Sequence, residues 1–340
     1  MWPESDRSAG GNPGLPIIDV GGLRAGDDRA RARAAAEIGA ACRDLGFFYA
    51  VGHGVPEVSV DRLVGLAREF FAGDLESKLE IDMARGGRAW RGYFPVGREL
   101  TSGIPDRKEG LYFGAELGPS HPKVRAGAPL HGPNLFPAAV PGLRHAVLDY
   151  IARMTDLGHV LARGLSLSLG LDGDHLARNY TSDPFVLFRI FNYPALPGAE
   201  TASWSVGEHT DYGLLTILWQ DDAGGLEVKS SSGWIAAPPV PGSFLCNLGD
   251  MLDRMTRGVY RSTPHRVRNR AGRDRLSLAF FFDPSFDAEI APLDPGRPAA
   301  DDCAERWDAA SVHEFRGTYG EYLLAKVARV FPELGRDVLA

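Results

Sequence analysis

The sequence is poor in cysteine, and its cysteines follow no regular spacing. There are three among 340 residues, Cys42, Cys246 and Cys303, and this odd number argues against a disulfide framework. Residues 1–14 are polar and lack the apolar run of a secretory signal peptide. We therefore expect a protein of a reducing compartment, by default the cytoplasm.

Long apolar runs and a surplus of positive charge are absent as well. No segment approaches the roughly twenty apolar residues that span a membrane. The 37 basic residues are outnumbered by 44 acidic ones, for a net charge of −7, which disfavours nucleic acid or an anionic membrane surface as the main partner. The expectation that remains is a monomer that binds a small molecule.

The order of the segments predicts helices first and strands afterwards. Residues 27–45 and 141–170 favour helix, whereas residues 84–137 are rich in Gly, Pro and aromatic side chains and predict loops with short strands. From about residue 185, short apolar segments alternate with turn signals, which is typical of an all-β sandwich or barrel. These segments are LFRIFNYP, LLTILWQ, GLEVKS, WIAAPP, SFLCNLGD and RLSLAFFF.

The predicted fold is mainly β, with flanking helices around a jelly-roll core. Ser311 and Glu314 have the spacing of a capping box at the start of a final helix. The expected organisation is a disordered tail over 1–14 and a single domain over 15–340, made of a helical part (15–180), the jelly-roll core (181–285) and a C-terminal helix (about 311–331).

Two histidines and an aspartate in the second half are spaced to bind one metal ion. His209 and Asp211 stand two residues apart in GEHTDYGLLTILWQ, so an extended segment projects both side chains to one face. His265, in STPHRVRN, follows 56 residues after His209. Two imidazoles and one carboxylate leave open positions on an octahedral ion, which favours non-haem Fe(II) and O2 chemistry. Zinc, which hydrolases bind with similar ligands, is the alternative metal.

A candidate clamp for an acidic co-substrate follows the second histidine. Arg275 and Ser277 alternate with leucines in RLSLAFFFDP, so a strand turns both of them to one face. A guanidinium binds a carboxylate through two charge-assisted hydrogen bonds, and the serine hydroxyl adds a donor. Tyr193, from the strand predicted near 188–194, is a third candidate. A zinc hydrolase needs no such clamp, so the clamp favours iron.

Taken together, the motifs resemble the Fe(II)- and 2-oxoglutarate-dependent dioxygenases of the isopenicillin N synthase-like group. The likeness runs in family order from Leu15 to about Pro284. Many plant members have Asn-Tyr-Tyr-Pro where this chain has Phe-Asn-Tyr-Pro over 191–194, so no role is carried over for Asn192. The resemblance rests on LPIIDV, GFFYAVGHGV, DRKEGLYFG, LHGPNLFP, RIFNYP, HTDYGLLTIL, NLGDML, STPHRV and RLSLAFFFDP.

The resemblance implies a distorted double-stranded β-helix with Fe(II) at its mouth. It also implies an activity that couples oxidative decarboxylation of 2-oxoglutarate by O2 to the oxidation, by hydroxylation, of an unactivated C–H bond in a small molecule. Asn247, in NLGDML, is a candidate for a contact behind the iron ligands. The implied iron ligands are His209, Asp211 and His265, and the implied partners of the 2-oxoglutarate C5 carboxylate are Arg275, Ser277 and Tyr193.

The motifs indicate the co-substrate but not the prime substrate. Residues that neighbour the ligands in sequence are candidates for its pocket, with ordinary core packing as the alternative for each. Arg189 among them suggests an anionic or amino-acid substrate. The candidates are Phe188, Arg189, Tyr212, Trp219 and Phe282, and the loop 84–115 adds Arg91, Tyr93 and Phe113.

Other activities fit the same motifs. An oxidase of the same fold that does not use 2-oxoglutarate would hold a substrate carboxylate with Arg275 and perform, for example, an oxidative cyclisation. An ethylene-forming enzyme would fragment 2-oxoglutarate itself. A non-enzymatic sensor is the alternative from another class, and the intact ligand set and clamp argue against it.

Overall fold

The structure, a computed structural model, describes residues 14–24, 27–101, 103–195, 204–294, 296–299 and 311–337. The predicted tail over 1–14 therefore lies, except for Gly14, outside the described residues. The strands are β1 (Ile17–Asp19), β2 (Phe47–Val51), β3 (Gly92–Phe94), β4 (Leu100–Thr101), β5 (Ile104–Pro105), β6 (Glu109–Gly114), β7 (Phe185–Tyr193), β8 (Val206–His209), β9 (Leu215–Gln220), β10 (Leu226–Ser230), β11 (Gly233–Ala236), β12 (Phe244–Leu248), β13 (His265–Val267) and β14 (Arg275–Asp283).

Helices surround these strands and include the two long segments that composition predicts. No helix within the described ranges has the length and apolarity needed to cross a membrane. The helices are α1 (Asp28–Asp44), α2 (Glu57–Phe71), α3 (Leu75–Leu79), α4 (Pro122–Arg125), α5 (Gly142–Ser168), α6 (His175–Asn179), α7 (Asp250–Thr256), α8 (Tyr319–Val330) and α9 (Pro332–Asp337).

Two sheets build the core and confirm the predicted class, a mainly β fold with flanking helices. The larger sheet has the order β1-β2-β12-β9-β14-β7-β6-β3, and the smaller one has the order β11-β10-β13-β8. All neighbours are antiparallel except the pair β1 and β2. The strands β4 and β5 form a separate hairpin.

The structure separates the helical first part from the β-rich second part less sharply than expected. Four strands from the first part extend the larger sheet, where β2 pairs with β12 and β6 pairs with β7. This pairing covers the backbone groups of β12 and β7 that would otherwise form exposed edges. The first part therefore completes the core as well as packing on its outside.

The outer face of the larger sheet packs against the long helix α5. Phe188 of β7 lies with its ring centroid 4.7 Å from that of Tyr150 in α5. Phe282 of β14 lies so close to Gly158 of α5 that a Cβ there would fall 2.3 Å from the ring. Glycine is therefore needed at residue 158 for the helix to approach the sheet, and α5 covers this part of the outer face.

The C-terminal helix begins later than predicted and has a different cap. The proposed capping box of Ser311 and Glu314 is wrong, because Ser311 accepts a hydrogen bond from the backbone N–H of His313 and caps only one short 3-10 turn. The capping box instead joins Thr318 and Glu321 at the start of α8. Both pairs fit the same sequence rule, and the rule alone does not choose between them.

Candidate active site

A cavity opens between the two sheets and is lined by side chains from both of them and from α8. The inner faces of β7, β9 and β14 supply one wall, and β8 and β13 supply the opposite one. The residues that line this cavity include Glu99, Lys108, Arg189, Tyr193, His209, Asp211, Tyr212, Asn247, His265, Arg275, Ser277, Phe281, Asp283 and Tyr319.

His209 and His265 face each other across neighbouring strands of the smaller sheet. The two residues are register partners in the pairing of β8 with β13, and their ring centroids lie 4.3 Å apart. Asp211 follows the end of β8, and its Oδ1 lies 3.8 Å from Nε2 of His265. One potential ligand atom from each of the three residues falls within 4.8 Å of the others, as the spacing predicts.

Backbone carbonyls orient both imidazoles with one nitrogen towards the shared point. Nδ1 of His209 lies 2.9 Å from the carbonyl oxygen of Gly207, and Nδ1 of His265 lies 3.2 Å from that of Thr263. An Nδ1–H that donates to a carbonyl leaves Nε2 unprotonated for a metal ion. Burial, with His265 next to it, lowers the pKa of His209 to about 3, so this imidazole is neutral at physiological pH.

The carboxylate of Asp211 is also oriented from behind. Its Oδ2 accepts hydrogen bonds from Thr216 Oγ1 at 2.5 Å and from Asn247 Nδ2 at 2.7 Å. Burial works to raise the pKa of Asp211, but the two histidines and these two donors outweigh it and hold the pKa below its ordinary value. The aspartate is therefore ionised, with Oδ1 turned to the histidines. This donor set fits one divalent ion with open coordination positions.

Arg275 enters the same cavity with one unused donor. Its side chain is 1% exposed, Nε donates to the carbonyl of Gly224 at 2.6 Å, and Nη2 donates to Gln220 Oε1 at 3.2 Å. Nη1 is buried without a hydrogen-bond partner among the described residues. Since a buried guanidinium N–H without an acceptor is costly, this group fits an anionic ligand that is not part of the chain.

Ser277 and Tyr193 lie beside Arg275, and strand alternation predicts this position for Ser277. Ser277 is two residues along β14 on the same inner face, and Tyr193 of β7 is the register partner of Arg275. The guanidinium carbon of Arg275 sits 4.6 Å from the centroid of the Tyr193 ring. All three side chains line the cavity together with the histidines.

Three of the aromatic residues suggested for the pocket lie on the opposite face of the sheet, and that suggestion is wrong for them. Phe188 packs on Tyr150, and Phe282 has its ring centroid 4.9 Å from that of His159. Trp219 pairs with Leu278 on the same outer face. The alternation that turns Arg275 and Ser277 inward also turns Phe281 inward, so that signal was available in the sequence.

The residues suggested from the loop 84–115 lie in the packing around the cavity. Arg91 donates to the carbonyl oxygens of Ala89 and Leu130. Tyr93 donates to Glu109 at 2.6 Å, and Phe113 stacks on Phe136 with centroids 5.2 Å apart. None of the three lines the cavity, whereas the suggested Arg189, Tyr212 and Asn247 all do.

Two cavity features escaped sequence reasoning, and both are buried charged or polar groups. Glu99 and Lys108, joined by an ion pair of 2.8 Å, enter from the loop around β4 and β5. Asp283, at the end of β14, accepts hydrogen bonds from Tyr319 at 2.5 Å and from the N–H of Leu214 at 3.0 Å. Burial raises the pKa of Asp283 to about 7. No motif joins these residues, because their contacts arise only from the tertiary fold.

Comparison with known families places this geometry in context. A family model for the N-terminal region of the non-haem dioxygenases of morphine synthesis matches residues 15–139, and the model of the 2OG-Fe(II) oxygenase superfamily matches residues 176–284. The chain belongs to the 2OG-Fe(II) oxygenase superfamily. It is an Fe(II)- and 2-oxoglutarate-dependent dioxygenase that oxidises a small molecule, with O2 as the further co-substrate.

Similar proteins span nearly the whole of this oxygenase. A probable iron/ascorbate oxidoreductase of Dictyostelium discoideum is 47% identical, with 96% of this chain and 97% of the relative covered. A 1-aminocyclopropane-1-carboxylate oxidase of the same organism is 38% identical, with 94% and 95% covered. Homoarginine-6-hydroxylase 2-ODD-C23.1 of Arabidopsis thaliana is 36% identical, with 93% and 97% covered.

A solved structure shares both the fold and the co-substrate. A full-length protein of Neurospora crassa, determined in complex with 2-oxoglutarate, superposes with a TM-score of 0.76 at 28% sequence identity. The match covers 92% of this chain and 96% of that one. The double-stranded β-helix and the use of 2-oxoglutarate, both expected from the sequence motifs, are thus confirmed.

Proposed function

We propose that this oxygenase holds Fe(II) with His209, Asp211 and His265 and holds the C5 carboxylate of 2-oxoglutarate with Arg275 and Ser277. The observation that carries the proposal is the buried, unpartnered Nη1 of Arg275 in the same cavity as the three ligand side chains. Tyr193 limits the space beside the guanidinium. A carboxylate placed there would satisfy Nη1 and neutralise the buried charge.

The chain itself contributes orientation and the exclusion of water. Bound iron, with 2-oxoglutarate and O2, supplies the oxidising power that breaks an unactivated C–H bond. The carbonyls of Gly207 and Thr263 fix the two imidazoles, while Thr216 and Asn247 fix the carboxylate of Asp211. These contacts direct the ligand atoms of the three residues towards one point in the cavity. The substrate must therefore approach that point from the side that the three residues leave open. We expect hydroxylation as the outcome.

We further propose that the prime substrate is a small polar molecule of the α-amino acid type. Two of the relatives act, by their names, on 1-aminocyclopropane-1-carboxylate and on homoarginine, and both compounds are α-amino acids. The cavity of this oxygenase contains the charged side chains Arg189, Glu99 and Lys108. Buried charges of both signs suit a ligand that also carries both signs.

The domain organisation and setting expected from the sequence remain part of this proposal. The strands shared between the first and second halves support a single domain. Cys42 and Cys246 are buried free thiols, which supports a reducing, cytoplasmic environment. The net charge of −7 supports the absence of a nucleic-acid partner. A monomer is proposed, and size-exclusion chromatography with light scattering tests it.

The test of the proposed function is succinate formation from 2-oxoglutarate. We expect the purified protein with Fe(II) and O2 to release succinate without added substrate at a slow rate, and His209→Ala to release none. The control is Asn179→Ala, an exposed substitution on α6, which should behave as wild type. Oxidation of a substrate without succinate would instead indicate an oxidase that does not use 2-oxoglutarate, and ethylene in the headspace would indicate fragmentation of 2-oxoglutarate.

A further inference from the structure

We propose that Arg189 and Glu99 form the subsite that binds the head group of an amino-acid substrate, with the carboxylate on Arg189 and the ammonium on Glu99. This inference rests on the proposed function and names the residues that select its substrate. It follows from the partners, the unused donors and the charge balance of a buried ionic cluster in the cavity.

The cluster is a chain of alternating charges beside the iron ligands. Glu99 lies between two cations, with Oε2 at 2.8 Å from Lys108 Nζ and Oε1 at 3.2 Å from Arg189 Nη1. Lys108 also pairs with Asp106, which accepts a further hydrogen bond from Thr101 at 2.7 Å. All five side chains are buried, with exposed fractions of at most 9%.

Arg189 has an unused edge that matches a carboxylate. It projects from the inner face of β7, and its guanidinium carbon lies 4.1 Å from the centroid of Tyr112 and 5.0 Å from that of Phe281. Glu99 contacts Nη1, while the buried Nε has no hydrogen-bond partner among the described residues. Nε and Nη2 form one of the two edges through which a guanidinium binds a carboxylate with paired hydrogen bonds. The contact with Glu99 leaves that edge available.

The charges of the cluster explain why a zwitterion fits better than a simple acid or amine. Burial raises the pKa of Asp106, against the effect of Lys108. With Asp106 ionised in its ion pair with Lys108, the two cations balance the two carboxylates and the four groups sum to zero. A head group that carries both a carboxylate and an ammonium keeps that sum at zero. A bare carboxylate or a bare amine would add an uncompensated charge to a buried space, which is costly.

A purely structural role for the cluster accounts for only part of it. Lys108, with two carboxylate partners, holds the two ends of the loop around β4 and β5 together, and Arg189 joins Glu99 of that loop to β7. That structural contact uses only Nη1 of Arg189, and it leaves the buried Nε without a hydrogen-bond partner among the described residues. Glu99 is held ionised, since Lys108 and Arg189 lower its pKa against the effect of burial. An ionised carboxylate that lines the cavity can accept an ammonium group.

The first experiment varies the ligand and leaves the protein intact. The twenty common L-amino acids, L-homoarginine and 1-aminocyclopropane-1-carboxylate are screened for succinate release above the rate without substrate. The strongest activator, its methyl ester and its N-acetyl derivative are then titrated calorimetrically into the anaerobic protein with Fe(II) and 2-oxoglutarate. We expect each derivative to bind at least about 30-fold more weakly than the free amino acid, as for loss of a buried charge pair.

The second experiment assigns each half of the head group to its residue. Arg189→Met should bind the free acid and the methyl ester with affinities within about threefold, while it still discriminates against the N-acetyl derivative. Glu99→Gln should show the reverse pattern. Arg178→Met, which removes an exposed arginine of α6, is the matched control and should discriminate as wild type does. Arg189→Lys keeps the charge without the paired edge and should lose at least about fivefold in discrimination against the ester, which provides a test if Arg189→Met does not fold.

The outcomes separate this inference from the proposed function. Activation by no amino acid, equal binding of acid and ester by the wild type, or loss of both discriminations in Arg189→Met would overturn the inference. In each of these cases the wild type would still convert 2-oxoglutarate to succinate in an Fe(II)-dependent reaction. Absence of that conversion in the wild type would instead contradict the proposed function itself.

Discussion

The side-chain amide of Asn247 lies 2.7 Å from Oδ2 of Asp211 and supports the carboxylate from the side away from the histidines. Asn247 belongs to β12 of the larger sheet, whereas Asp211 follows β8 of the smaller one. The contact therefore ties the two sheets together at the candidate metal site. Hydrogen bonds of this kind fix the direction of a ligand oxygen before the metal arrives.

Replacement of Asn247 by Ala should weaken iron binding about 10- to 100-fold, as is typical when a contact behind a metal ligand is lost. Thr216→Val should show a loss in the same direction, since it removes the other of the two donors to Oδ2. The dissociation constant for Fe(II) is measured under anaerobic conditions by competition with a chelator. An unchanged constant in both variants would mean that the hydrogen bonds to Asp211 do not support the metal.

Arg275→Met should weaken 2-oxoglutarate far more than iron. Loss of one partner from a buried charge pair costs roughly 3–5 kcal/mol, or at least about a hundredfold in affinity. Arg273→Met is the matched control, because Arg273 is an exposed arginine two residues earlier that pairs with Asp222. The KM for 2-oxoglutarate and the dissociation constant for Fe(II) are compared in both variants. Equal losses of the two ligands in Arg275→Met would indicate a structural arginine.

Truncation of a phenylalanine to alanine should have different effects on the two faces of the larger sheet, on stability at the outer face and on substrate KM at the inner face. Phe188 is fully buried against α5, so Phe188→Ala should lower the free energy of unfolding by about 3–5 kcal/mol. Phe281 is less buried and lines the cavity, so Phe281→Ala should cost less stability and change the KM of the prime substrate. Urea denaturation gives the first quantity and steady-state kinetics the second. A larger stability loss for Phe281→Ala would contradict the assignment of the faces.

The contribution of Asp283 to the stability of the iron-free protein should fall as pH rises through the range in which its carboxyl group ionises, against the opposite contribution of His209, whose pKa is lowered. Burial raises the pKa of Asp283 from the ordinary value of 3.8 to about 7, so between these values the folded state binds a proton that the unfolded state has released. The stabilisation is complete below about pH 4 and is lost as pH passes 7, with a slope of up to about 1.4 kcal/mol per pH unit. Asp283→Asn should lack this slope in denaturation curves, and equal slopes in both proteins would argue against a protonated Asp283.

The local patterns of the sequence were sufficient to predict which side chains of the proposed metal site and clamp share a face. His209 and Asp211 stand two apart on one segment, and Arg275 and Ser277 alternate with leucines, so each pair shares a face whatever the rest of the fold does. The same alternation would have predicted Phe281, and not Phe282, as a residue of the substrate pocket. The error at that position came from choosing neighbours in sequence instead of neighbours on one face.

Contacts between segments far apart in the chain could not be predicted from those local patterns. Glu99 and Arg189 are 90 residues apart, and their contact depends on how the loop around β4 and β5 returns to β7. The role of β2 and β6 in the larger sheet likewise depends on which strand edges remain to be covered. The start of α8 after Thr318 and not after Ser311 could not be predicted either, because the two local signals are equivalent in sequence.

The central claim is that His209, Asp211 and His265 bind one ferrous ion within reach of a 2-oxoglutarate anchored by Arg275. The most direct measurement is an anaerobic titration of the protein with Fe(II) and then with 2-oxoglutarate, monitored through the weak visible charge-transfer band of an iron-chelated 2-oxo acid. We predict one iron per chain, a band that saturates at one 2-oxoglutarate, and no band in His265→Ala. Iron binding that survives His265→Ala, or a wild-type protein that binds iron but develops no band, would contradict the account.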